Sequence, residues 1–254
     1  MKVTYIGHSG FLVETKEAYL LFDCLAVPGE LPNQDLEYSI GILPEMDKKK
    51  DIVVFVSHQH KDHYERAIWK LRELYPHVKY VISKDIPFSS KAQEKLGITE
   101  MDLQDILRAY GNKRYNLALQ NGNEIKIETF FSTDEGVAYY VTLNGQTIYH
   151  AGDLHLWAWE EEGPKYVKTM TDQFYWVTEG LKGRKTDVAF VLLDPRLEKT
   201  AYQGIDAYLE LMDCKCVFPM HFWKQYDFVA CYLNERPGSP VQMIEREGQT
   251  FEIN

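Results

Sequence analysis

The chain has 254 residues, of which 45% are hydrophobic, and a formal net charge of −10. That is enough apolar material for a full core in one large domain or two fused halves. The acidic balance argues against non-specific nucleic-acid binding, which needs a basic field, and no apolar run approaches the ~18–20 residues that span a bilayer.

In chain order, strands are expected at 2–6, 11–14 and 19–22, with Gly7 and Gly10 in the first turn. Residues 27–50 carry three prolines and a charge run and read as a long loop. The run Ile52-Val53-Val54-Phe55-Val56 reads as a buried parallel strand. A helix over about 64–74 follows, with Ile68, Leu71 and Leu74 at helical spacing and Pro76 ending it. A strand at 78–82 and a short helix near 103–109 are expected next.

The second half repeats the style. Strands are expected at 116–119, 124–130, 138–143 and 147–150, with Asn121-Gly122 and Asn144-Gly145 as hairpin turns. A helix over 165–182 would place Tyr166, Met170, Phe174, Val177 and Leu181 on one face. A strand at 188–193, a helix at 205–212, a strand at 215–218 and a helix at 223–233 come next. Strand signals at 241–244 and 250–253 close the chain. The expected organisation is one domain, 1–254, built from two β-rich halves of about 1–115 and 116–254. Two mixed sheets packed face to face, with helices outside, accommodate this α/β (α+β) pattern.

The four cysteines, Cys24, Cys214, Cys216 and Cys231, form no disulfide-scaffold spacing. Cys214-Lys215-Cys216 reads as two ordinary buried thiols opening a strand rather than as a soft-metal pair. The chain enters its first strand without a basic-then-apolar leader, so a soluble, cytoplasmic protein is expected.

The chemistry concentrates in Ser57-His58-Gln59-His60-Lys61-Asp62-His63, directly after the buried strand. Imidazole and carboxylate are the ligands a borderline cation such as Zn²⁺ prefers. His58 and His60, at i and i+2 on extended chain, point to one side and can share an ion. Asp62 and His63 sit where the chain turns and can hold a second. Two ions ~3.5–4 Å apart can clamp and acidify a water between them. Taken alone, Asp62 is equally an N-cap and a single histidine a core imidazole.

At these residues the chain resembles the metallo-β-lactamase superfamily of hydrolases. The resemblance extends to Tyr5-Ile6-Gly7-His8-Ser9-Gly10-Phe11, His150-Ala151-Gly152-Asp153, Asp194-Pro195-Arg196 and Pro219-Met220-His221. It implies the four-layer αββα sandwich. It also implies a first metal on His58, His60 and Asp153, and a second on Asp62, His63, Asp153 and His221, with Asp153 bridging. Asp62 is the expected catalytic residue, contacting the nucleophile and passing its proton to the leaving group. The implied cofactor is Zn²⁺, one or two ions, with Mn²⁺ or Fe²⁺ as substitutes. The implied activity is hydrolysis of a small-molecule ester, lactone, amide or phosphodiester by a metal-activated water. No membrane or nucleic-acid partner is expected, and a homo-oligomer fits the many aromatics.

One departure stands out. The family places a third histidine for the first metal where this chain has Ser132-Thr133-Asp134-Glu135-Gly136. Asp134 as an oxygen ligand, Ser132 or Thr133 orienting a water, His155 and His8 are the alternatives, beside a plain turn. Asp194 is expected to support the site rather than to react. Trp157, Trp159 and Trp223 read as core or as a pocket wall. Two further functional readings remain. A di-iron redox protein of the same fold would carry H-x-E-x-D at the first loop, where His60 stands here. A non-catalytic metal-binding relative would explain the missing histidine.

Overall fold

The computed structural model describes residues 1–29 and 36–253, so part of the expected 27–50 loop lies outside the described residues. The first strands are β1 (Lys2–Gly7), β2 (Gly10–Glu14), β3 (Ala18–Phe22), β4 (Asp51–Val56), β5 (Val78–Ser83) and β6 (Ile106–Ala109). Then come β7 (Arg114–Ala118), β8 (Glu124–Phe131), β9 (Val137–Leu143), β10 (Gln146–His150), β11 (Lys185–Leu192), β12 (Asp213–Met220) and β13 (Thr250–Glu252). The chain divides into two compact units. One holds Met1–Tyr110, Ala118–Asn123 and Arg246–Asn254; the other holds Gly111–Leu117 and Glu124–Glu245. The C-terminus belongs to the first unit because β13 pairs antiparallel with β1.

In the first unit a seven-stranded sheet runs β13-β1-β2-β3-β4-β5-β6. The β1–β2 and β2–β3 pairs are antiparallel, and β3 through β6 are parallel. Strands β1, β3, β4 and β5 therefore run the same way, and their carboxyl ends share one edge of the sheet. The register Tyr5↔Phe11↔Phe22↔Phe55↔Val81 aligns those ends. Every residue of β4 is buried, which is why its sequence after Asp51 is a continuous apolar run rather than an alternating one. Ile52, Val54 and Val56 pack in a core with Trp69, Leu71, Tyr80 and Ile82. Phe55 points the opposite way and stacks on Phe22 at 4.7 Å. Each such side chain contributes ~1.5–3 kcal/mol of burial.

Local expectations shift here for identifiable reasons. The helix expected over 64–74 is a 3-10 segment, Arg66–Lys70, followed by one α-turn, α1 (Leu71–Leu74). The Tyr80 hydroxyl bonds the Ile68 and Trp69 carbonyls, which satisfies acceptors that a longer helix would have used. Over the helix expected at 103–109, only Asp102–Asp105 is helical, as a 3-10 turn. Ile106–Ala109 instead extends the sheet beside β5, so pairing overrides local propensity. A helix that was not expected, α2 (Ser90–Lys95), is capped by Ser89, whose hydroxyl accepts the Ala92 N–H at 3.3 Å. It buries no residue and so has no apolar stripe to read.

The second unit's sheet runs β12-β11-β10-β9-β8-β7. Strands β10, β11 and β12 are parallel neighbours, and the register His150↔Phe190↔Phe218 aligns their carboxyl ends. Strands β8, β9 and β10 form an antiparallel meander. The helices are α3 (Pro164–Thr178), α4 (Gln203–Leu211) and α5 (Tyr226–Glu235). The strand expected at 241–244 reduces to a single bridge, Val217↔Val241. No helix among the described residues is long and apolar enough to cross a membrane.

Candidate metal centre

Parallel strands deliver loop residues to one edge, and both units use this. In the first unit, the end of β1 presents His8, the end of β3 Asp23, and the end of β4 the loop from Ser57 to His63. Asp23 is almost fully buried, and its carboxylate organises the loop. Its Oδ1 accepts the Ser57 backbone N–H at 2.7 Å, and its Oδ2 accepts the Ser57 hydroxyl at 2.5 Å. Oδ2 also lies 2.7 Å from His63 Nδ1. An ionised carboxylate only accepts, so His63 Nδ1 carries the proton and Nε2 the lone pair. The Ser57 hydroxyl has one proton and gives it to Asp23. At 2.9 Å it therefore accepts from His58 Nδ1, which leaves the His58 lone pair on Nε2. One buried carboxylate thus sets the tautomer of two imidazoles, directly and through a serine.

That lone pair meets His60, whose Nδ1 is 3.0 Å from His58 Nε2. His8, in the left-handed region at φ 48, places Nε2 3.2 Å from Asp62 Oδ2. His8, Asp62 and His63 each offer a ligand atom within 4.8 Å of the others, and His58 and His63 do the same. Gly41 packs the 38–41 segment under the end of β1. Its φ of +76 and the Ile6 carbonyl oxygen 1.9 Å from where a Cβ would stand both require glycine. The segment's Tyr38 hydroxyl donates to the Lys61 carbonyl at 3.0 Å.

The second unit builds its half from the ends of β10, β11 and β12. Asp153 follows β10 in a turn in which Gly152 N–H donates to His150 Nδ1 at 3.1 Å. His221 follows β12, and its Nε2 lies 3.7 Å from Asp153 Oδ1. Asp194, fully buried after β11, accepts a hydrogen bond from His221 Nδ1–H at 2.8 Å. This repeats the Asp23–His63 arrangement and again turns Nε2 outward. Arg196 holds Asp194 with Nε at 3.0 Å from both carboxylate oxygens and Nη2 at 2.6 Å from Oδ2. Burial pushes the Asp194 carboxyl up, but the bonds from His221 and Arg196 outweigh it and hold it well below the usual carboxylate range. The Arg196 guanidinium in turn lies over the Trp223 ring at 4.3 Å and the Trp159 ring at 5.8 Å.

Where the third histidine is missing, Thr133 clasps the Asp153 turn. Its hydroxyl donates to the His155 carbonyl at 2.6 Å and accepts the His155 N–H at 2.9 Å. Ser132 accepts the Asp134 N–H at 3.0 Å, the local turn bond expected of a serine there. Asp134 consequently brings a carboxylate oxygen within 4.8 Å of one from Asp153. His155 is fully buried, lies edge-on to Trp157 at 5.0 Å, and packs so closely on Gly204 that a Cβ there would be 2.0 Å from Cε1. Burial pushes its pKa down to about 4. Trp157 is buried, and its indole N–H donates to the Asp153 carbonyl at 3.0 Å, so it also braces the Asp153 turn.

The structure thus gathers His8, His58, His60, Asp62 and His63 in one unit and Asp134, Asp153, Asp194 and His221 in the other. Asp23 is a supporting residue that no sequence motif contained, whereas Ser57 and Arg196 stood inside the motifs without a role of their own. The signal for Asp23 was available: a carboxylate directly follows the apolar run Tyr19-Leu20-Leu21-Phe22, as Asp194 follows β11.

The sequence profile of a beta-lactamase superfamily domain matches residues 2–164. A UPF0173 metal-dependent hydrolase from Opitutus terrae is 30% identical over 158 residues, which is 61% of this chain and 64% of that protein. The chain spans less than two thirds of the length of the curated relatives it matches. Among solved structures, the metallo hydrolase Igni18 from Ignicoccus hospitalis aligns with a TM-score of 0.56 at 18% identity, covering 100% of this chain and 99% of that one. CmlA, a diiron beta-hydroxylase from Streptomyces venezuelae, aligns with a TM-score of 0.60 at 12% identity, covering 98% of this chain and 53% of that one. At these identities the likeness is one of fold, and it agrees with the α/β class expected from the sequence.

Proposed function

This chain belongs to the beta-lactamase superfamily, and from that premise we propose that it is a metal-dependent hydrolase of a small-molecule ester, lactone, amide or phosphodiester. The observation that carries the reading is the pair of carboxylate–imidazole arrangements. Asp23 acts on His63 and, through Ser57, on His58; Asp194 acts on His221. Each turns an Nε2 lone pair away from its carboxylate, the state a divalent cation requires. The donor set is nitrogen and carboxylate oxygen, which fits Zn²⁺ and accommodates Mn²⁺ or Fe²⁺.

In this reading His58, His60 and Asp153 hold one ion, and Asp62, His63, Asp153 and His221 hold a second. Asp134, beside Asp153, supplies the oxygen that replaces the absent histidine. When bound, such a cation acidifies a water and polarises the substrate oxygen. Asp62 Oδ2 takes a proton from the attacking water and returns it to the leaving group. His8 donates to that same oxygen and holds it in place. Arg196 keeps Asp194 ionised, which keeps His221 in its ligating tautomer. All four cysteines are free thiols, which supports a reducing, cytoplasmic setting. Tyr175 and Trp176 on α3 are exposed, which supports a homo-oligomer.

Metal analysis of protein purified without chelator tests the reading, alongside His63→Ala and His221→Ala and a panel of chromogenic esters, lactones and phosphodiesters. One or two equivalents of a transition metal, lost in both variants, with turnover on one substrate class, is the expected result. Protein free of metal, or equally metallated in both variants, would overturn it.

A further inference from the structure

Beside the histidine loop, the first unit carries a groove of about 1160 Å³. Leu25, Val27, Ile40, Leu43 and Leu96 supply apolar walls. The volume exceeds the ~300–1,000 Å³ of an ordinary ligand pocket, so an elongated or bulky apolar body fits. Its polar lining is one-sided. Lys61, Arg66, Lys91 and Lys95 all face it, and Glu65 is the one carboxylate among the described lining residues. None of the four cations has an ion-pair partner among the described residues. In a chain with net charge −10, an apolar groove edged by four unpartnered cations is complementary to an anion with an apolar body.

The groove also abuts the chemistry. Gln59 and Lys61 line it from within the loop that carries His58, His60, Asp62 and His63. The Tyr38 hydroxyl closes its flank on the Lys61 carbonyl, and the Tyr38 ring lies 5.4 Å from the His8 ring. Lys91 and Lys95, four residues apart on α2, add two of the cations from one helix face. An apolar chain laid along Leu25, Val27 and Leu43 would have its head among these cations.

We propose that this groove binds an amphiphilic anion: an alkyl or acyl chain, or an extended ring system, carrying a carboxylate, phosphate or sulfate group. That this ligand is the substrate rests on the metal-hydrolase reading above. The binding itself does not.

The test is isothermal titration of the full chain, metal-loaded and chelator-treated, with octyl phosphate, 1-octanol, octyltrimethylammonium and inorganic phosphate, all below micelle formation. Octyl phosphate is expected to bind roughly tenfold or more tightly than octanol and inorganic phosphate, and octyltrimethylammonium most weakly. The double variant Lys91→Glu/Lys95→Glu should weaken octyl phosphate by about tenfold and leave octanol unchanged. Leu43→Asp should weaken both. Because α2 buries no residue, the double variant is expected to keep its melting transition, and Lys91→Gln/Lys95→Gln provides the milder control. The proposal fails if octyl phosphate does not bind. It also fails if octyl phosphate binds no better than octanol or phosphate alone, or if the folded charge variants leave its affinity unchanged. Binding to chelator-treated protein bears on the groove alone, and metal content of the purified protein bears on the metal reading alone.

Discussion

Asp23 accepts the Nδ1 proton of His63 at 2.7 Å from a position forty residues upstream, at the end of the neighbouring parallel strand. The same carboxylate reaches His58 through Ser57. Asp23→Asn keeps the shape but puts a donor where only acceptance works, so both imidazoles lose their set tautomer. The expected result is ~10–100-fold weaker metal affinity with the fold retained. Titration calorimetry with Zn²⁺ or Mn²⁺ and the melting curve measure both halves of that statement.

Metal binding should stabilise the folded chain by mass action. At a free concentration one hundred times Kd the gain is about 2.7 kcal/mol. For a chain of this size that raises Tm by roughly 5–10 °C. Chelator treatment should reverse the shift, and His63→Ala or His221→Ala should abolish most of it. Differential scanning calorimetry with and without metal reads this directly, and a Tm insensitive to metal would count against the centre.

Arg196 should govern acid stability through Asp194. The folded-state carboxyl lies below its unfolded value near 3.8, so its stabilisation is present above that pH and is lost as pH falls toward the folded value. Arg196→Ala raises the folded value, so stability at neutral pH drops. The loss between about pH 5 and 2 also becomes shallower than in the native chain. Urea unfolding at a series of pH values is the measurement; parallel curves for the two proteins would refute the assignment.

Gly204 and His155 occupy one space. A Cβ at 204 would stand 2.0 Å from the imidazole Cε1, so Gly204→Ala must displace a fully buried ring. The expected cost is ~1–3 kcal/mol by urea unfolding, with the Thr133 clasp on the His155 backbone loosened.

Thiol reactivity should separate one cysteine from the other three. Cys231 is exposed, whereas burial pushes Cys24, Cys214 and Cys216 up to about 12. At pH 8 a thiol reagent should titrate Cys231 rapidly and the others only on unfolding.

The sequence by itself determined a good deal. The string from His58 to His63 needed no tertiary information, because four candidate ligand side chains within six residues after an apolar run are a local pattern. Fully buried strands such as β4 were readable for the same reason, since burial on both faces leaves an unbroken hydrophobic run. The hairpin at Asn144-Gly145 was readable from its turn dipeptide.

The tertiary structure decided what depends on neighbours distant in sequence. Ile106–Ala109 became a strand because the edge of β5 offered unpaired backbone groups, a preference no local window contains. Helix α2 escaped notice because it buries nothing. Asp23 looked like one more strand-end acid until parallel pairing set β3 beside β4 and put its carboxylate within reach of Ser57 and His63. The Thr133 hydroxyl holds the 132–136 loop to the backbone of His155, twenty-two residues away, a contact that no local window contains. Which side chains have the chemistry to hold a metal is a property of residue type, so the candidates could be read from the chain. Which nitrogen carries the proton is set by through-space hydrogen bonds, and only the folded arrangement of strand ends could decide it.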